Sequence, residues 1–67
     1  MFRKMMERYR LRKALHAERA ALLNEGFAYV ITKRSLRARG IEVPAEWAAK
    51  EQAIMDRLMQ IDAELSR

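Results

Sequence analysis

AALLNEGFAYVI, residues 20–31, is the stretch whose reading decides the fold. Nine of its twelve residues are apolar, too many for a single stripe. At 100° per residue, Ala20, Ala21, Leu23, Phe27, Ala28, Val30 and Ile31 fall on one broad helical face. Leu22 and Tyr29 belong to a separate row spaced by seven, Leu15–Leu22–Tyr29–Leu36. Charged and small residues (Glu18, Glu25, Arg12, Arg19, Gly26, Lys33) separate the two faces. A helix with two apolar faces needs two packing partners. The chain supplies one, its own second helix, so the other is expected from another molecule.

Gly26 is the point at which this reading is tested. Asn24-Glu25-Gly26 can end a helix, and Phe27–Thr32, FAYVIT, has the composition of a strand. A lone strand with no second candidate to pair with builds no sheet, whereas a helical Gly costs only about 1 kcal/mol relative to Ala. One helix over residues 2–39, with or without a bend at Gly26, is therefore expected.

Downstream, Lys33–Pro44, KRSLRARGIEVP, carries a helix stop and a helix start. Gly40 follows a basic run suited to a helix C-terminus and can adopt the left-handed conformation of the residue just past it. Ile41 should then touch Leu36 in the Schellman arrangement. Pro44 suits the first turn of the next helix, with Glu46 favourable near its start. A loop over 40–43 and a second helix over 44–66 follow. In that helix Trp47, Ile54, Leu58, Ile61 and Leu65 share a stripe about 60° wide at coiled-coil spacing, with Ala48, Met55 and Met59 as a shoulder. The stripe should pack against Leu15–Leu22–Tyr29–Leu36, with Trp47 near Leu36 and Leu65 near Leu15.

Upstream, FRKMMERYRLRK (residues 2–13) is a basic amphipathic helix with Phe2, Met5, Met6 and Tyr9 on one side. The second helix is too short to reach it, so residues 1–13 should project as an overhang about 18–20 Å long. Arg3 and Lys4 sit where the helix dipole disfavours positive charge, at about 0.3–1 kcal/mol each. Such a local misfit points to a partner. His16 shares a row with Phe2, Tyr9, Leu23 and Val30 and has no second histidine beside it. It reads as an interface or core residue, not a ligand.

The 67 residues carry a net charge of +5, no cysteine and one histidine. A single core is marginal below roughly 70–80 residues, and disulfides and zinc clusters are excluded, so oligomerisation remains as the stabilising device. The charge is uneven: +5 over residues 1–13, −1 over 14–32, +4 over 33–40 and −3 over 41–67. The basic first helix and acidic second helix favour an intramolecular antiparallel pair. No apolar run reaches the ~18 residues of a membrane span, and the N-terminus has no apolar core of a secretory signal. A soluble, cytoplasmic protein is expected.

No cofactor-binding, metalloprotease or cysteine-nucleophile motif is present, and the acids of the second helix are spread around its outside. The expectation is a non-enzymatic, all-α helical hairpin, a single domain that dimerises into a helical bundle without cofactor or metal. It would act as a regulator, inhibiting or adapting a protein partner of acidic character. Leu23, Phe27, Val30 and Ile31 are the expected dimer interface. Trp47, Arg34, Arg37, Arg3, Arg8, Tyr9 and Arg10 are the expected partner contacts. The composition leaves the dimer orientation open. The alternative is a nucleic-acid-binding regulator, since pI ≈ 10.2 and two basic clusters can neutralise phosphates.

Two short stretches resemble the inhibitory-helix motif [ST]-x-x-x-E-[GN] of the antitoxin partners of Fic-domain adenylyl transferases. Ser35-Leu36-Arg37-Ala38-Arg39-Gly40 is similar but has Arg39 in place of the inhibitory glutamate. Ala21-Leu22-Leu23-Asn24-Glu25-Gly26 keeps the glutamate and has Ala21 where Ser or Thr stands. The resemblance implies a toxin-neutralising role as a remote alternative.

Overall fold

The computed structural model describes residues 2–67; Met1, with which the expected overhang begins, lies outside the described residues. Two helices form an antiparallel hairpin, α1 over Phe2–Ala38 and α2 over Glu46–Leu65, and no strand occurs among the described residues. α1 runs through Gly26 without interruption. The only positive-φ glycine is Gly40, at φ 72°.

Gly40 ends α1 as its position suggested. The Ile41 amide donates to the Leu36 carbonyl at 2.8 Å and the Gly40 amide to the Arg37 carbonyl at 3.1 Å. These are the two bonds of the Schellman motif, and they satisfy carbonyls that the helix end would leave unpaired. α1 ends at Ala38, one residue before the expected boundary, because the chain is already turning at Arg39.

α2 begins at Glu46 and not at Pro44. Pro44 acts one step earlier, its carbonyl accepting from the Trp47 amide at 3.1 Å. Ala45 at the N-cap offers no side-chain acceptor, and Glu46 supplies the favourable charge of the first turn.

The helices meet along the two rows read from the sequence. Leu15, Leu22, Tyr29 and Leu36 are the half-buried apolar side chains of α1, interleaved with Glu18, Arg19, Gly26 and Lys33. On α2, Ile54 and Ile61 are buried, at 8% and 0% exposure, with Trp47, Leu58 and Leu65 half-buried around them. Ion pairs run along this seam: Lys33–Glu51 at 2.8 Å, Glu18–Arg57 at 2.6 Å and Arg19–Asp62 at 2.8 Å. Glu51, early on α2, meets Lys33 near the end of α1, whereas Arg57 and Asp62, later on α2, meet Glu18 and Arg19 nearer its start, which makes the pair antiparallel. Glu18 and Arg19 are consecutive, so their bridges lie on opposite flanks of the seam.

Trp47 packs on Tyr29, its ring edge-on at 5.2 Å between centroids. Residues 39–45, three more than the expected four-residue loop, turn the chain between the helices.

Gly26 faces α2. A Cβ added there would lie 3.8 Å from Ile54 Cγ2, an ordinary van der Waals distance. Nothing in the fold therefore requires glycine at this position. Gly26→Ala should raise stability by about 1 kcal/mol through helix propensity. That corresponds to a melting temperature roughly 4–8 °C higher in a domain of this size, read by circular dichroism.

Two buried residues are a small core for an elongated molecule of 59 × 15 × 15 Å. Its radius of gyration is 16.4 Å, against about 11 Å for a compact chain of this length. Residues 2–14 are exposed throughout and form the expected overhang.

Candidate interaction surface

The broad face of α1 that α2 does not cover is open to solvent. Leu23 is 45% exposed, Phe27 64%, Val30 46% and Ile31 53%. These are the four side chains expected at a dimer interface, and they lie together on one stretch of α1. α2 extends the patch. Met55 and Met59 are 55% and 67% exposed, and Met55 joins Leu23, Phe27 and Val30 in lining a groove between the helices that Gly26, Ile54 and Leu58 floor.

The methionines belong to the site although the sequence marked them only as a shoulder of the second helix. Helical spacing shows which residues share a face of α2. It does not show on which flank of α1 the second helix lies. With that flank settled, Met55 stands beside Phe27. Two unbranched, polarisable side chains suit a surface that must adapt to a partner.

The apolar side of the overhang is equally bare. Phe2, Met5, Met6 and Tyr9 line a shallow apolar depression, and Phe2 is 83% exposed. Arg3, Lys4, Arg8, Arg10, Arg12 and Lys13 are also exposed, and none takes part in an ion pair among the described residues. The first turn of α1 carries no acidic residue. The dipole misfit at Arg3 and Lys4 is thus uncompensated within the chain.

The residues expected to contact a partner fall into separate groups. Arg3, Arg8, Tyr9 and Arg10 are on the overhang, and Tyr9 is about 30 Å along the helix axis from Tyr29, where Trp47 packs. Arg34 and Arg37 are exposed near the end of α1. Trp47 is half-buried, and with Glu25, Ala28, Tyr29 and Thr32 it lines a depression. Arg34, five residues after Tyr29, is turned about 140° away around the helix. Arg34 therefore does not stand beside the Trp47 ring. That ring packs within the hairpin, with one edge reaching the surface.

Glu18 and Arg57 form the best-aligned ion pair. Arg57 donates through Nε to Glu18 Oε2 at 2.6 Å and through Nη2 to Oε1 at 2.8 Å. The fork of donors matches the carboxylate. This hydrogen bonding holds the Glu18 carboxyl below its ordinary range and pushes the Arg57 guanidinium up. Both side chains stay about two-fifths exposed, at 40% and 43%, so solvent screens the pair. Because the folded chain lowers the Glu18 pKa, the stabilisation is complete above the unfolded carboxylate value of about 4.3. It is lost as pH falls through the lower folded value. Melting curves from pH 7 to pH 3 should show a smaller acid loss for Glu18→Gln than for the wild type.

No helix among the described residues is long and apolar enough to cross a membrane. Compared with protein-family models, curated proteins and solved structures, the chain matches none of them.

Proposed function

We propose that this chain is a homodimeric helical interaction module that binds and regulates another protein and performs no catalysis of its own. The observation that carries the reading is the uncovered apolar surface around Phe27. The chain exposes 5,917 Å², whereas a compact protein of 7.9 kDa exposes about 4,400 Å². The surplus of about 1,500 Å² is spread over the whole elongated chain, and it exceeds the ~800 Å² that each partner contributes to a standard interface. Contiguous apolar patches of this kind mark association sites. A second copy would cover the patch, leaving the Trp47 edge and the basic end of α1 at Arg34 and Arg37 for a protein target of acidic character. Arg and Trp are enriched where few residues carry most of the binding energy.

The test is the concentration dependence of thermal melting. Association that stabilises the folded chain raises the melting temperature with protein concentration. A rise of several degrees between one and one hundred micromolar supports the reading, and a constant melting temperature overturns it.

The exposed basic side chains of the overhang favour a second reading, a nucleic-acid-binding regulator. Retention of duplex or single strand should then fall with salt at about 0.9 in log–log slope per phosphate neutralised. Arg8→Gln, Arg10→Gln and Arg12→Gln together should flatten that slope, and no retention at low salt removes this reading.

A further inference from the structure

We infer that the second copy docks antiparallel, with the N-terminal overhang of each chain (residues 2–13) seated along the α1–α2 groove of the other. The inference rests on the dimeric reading above and adds the orientation and the occupant of the groove.

The overhang and the groove belong to one seam. From Phe2, alternating steps of four and three meet Met6 and Tyr9 in the overhang. The same steps resume at Leu23, Phe27 and Val30 in the body of the hairpin. Lys13, His16 and Ala20 occupy the middle, so the seam has two apolar ends and a polar or small centre. This 4-3 repeat is the spacing that packs one helix along another. It is separate from the row that faces α2, and every seam residue is exposed in the single chain.

Charge selects between the two ways of pairing such seams. In a parallel pair each overhang, at +5, would lie against a copy of itself. In an antiparallel pair it lies against residues 14–67, which carry no net charge, and along α2, which carries −3 over residues 46–65. Like charges brought together on helices destabilise them, and complementary charges fix register and orientation.

Length agrees with this placement. The overhang spans about 18–20 Å and α2 about 30 Å at 1.5 Å per residue, so the overhang fits within the groove side of α2. Isolated helical segments of about a dozen residues are marginal in water. Seating the overhang as a third helix gives it the packing that its own chain does not provide. Centring the seam on itself, at His16, places Tyr9 of each copy against Leu23 of the other and Met6 against Phe27.

A spin label on Ser35→Cys reads the orientation directly, because the chain has no cysteine of its own. Ser35 is exposed on the last turns of α1 and lies outside the seam, so labelling leaves both packing faces intact. In the antiparallel dimer the two labels stand about 57 Å apart, from about 38 residues of separation along the helix axes at about 1.5 Å each. In a parallel dimer they stand side by side, about 10–25 Å apart, given helix axes about 8–10 Å from one another. A dipolar distance of roughly 45–70 Å supports the inference. A distance below about 25 Å in a species of dimeric mass overturns the orientation and leaves the dimer standing. A monomeric mass with no intermolecular dipolar signal overturns both, and assigns the groove to a different protein. For the seating of the overhang, Tyr9→Cys and Met55→Cys chains should form a disulfide-linked heterodimer when mixed and oxidised. Linkage at no more than the background of Tyr9→Cys mixed with Ser35→Cys places the overhang elsewhere and overturns the seating.

Discussion

Phe27→Asp should convert the protein to monomers of 7.9 kDa at concentrations where the wild type is dimeric. Phe27 is 64% exposed within its own chain, so a charge there disturbs little of the hairpin's internal packing. The proposed interface would bury it twice, once from each copy. A charge left unpaired in an apolar contact costs about 3–5 kcal/mol, and two copies together imply a dissociation constant raised at least about a thousandfold. Asn24→Asp is the control, since Asn24 is exposed on another face of the same helix. Its mass distribution should match that of the wild type. Partial loss of helicity in Phe27→Asp, restored by raising protein concentration, would mark folding coupled to association.

Ile61→Ala should have the largest effect on the hairpin itself. Ile61 is fully buried, at 0% exposure, and among the described residues the only other buried one is Ile54. Truncating a buried Ile to Ala costs about 2–5 kcal/mol, while a chain this small draws about 3–5 kcal/mol from its core. The melting temperature should fall by about 10–30 °C, with no baseline of full helicity at the upper end of that range. Met59→Ala provides the comparison. Met59 is 67% exposed, so its truncation should leave the hairpin near wild-type stability and weaken only association.

Which parts of this architecture were readable from the sequence follows from what residue spacing encodes. Period-seven spacing identified Leu15, Leu22, Tyr29 and Leu36 as one row and Trp47, Ile54, Leu58, Ile61 and Leu65 as its counterpart. These are the residues the two helices bury against each other. Gly40 was legible because a helix stop of this type needs a positive φ that glycine adopts without strain. Gly26, the other glycine, kept a helical conformation because the residues around it have helical partners and no strand partner.

Spacing is silent about the flank on which the second helix lies. The sequence therefore placed Phe27 on the broad face of α1 and Met55 on a shoulder of α2 without joining them in one groove. It also left the contact between the Trp47 and Tyr29 rings unnamed, since spacing by seven does not show which members of two facing rows a large ring meets. The ion pairs Lys33–Glu51 and Glu18–Arg57 depend on the register of the two helices. Overall complementarity of charge anticipated that such pairs would form, and the register decided which ones.

The exposed face around Phe27 is an interface if the wild-type chain is a dimer in solution. Sedimentation equilibrium at tens of micromolar measures this without a label or a partner. A mass twice 7.9 kDa, with dissociation on dilution, is the predicted result. A single species of 7.9 kDa over the whole concentration range, with the helix content of two complete helices, would contradict it.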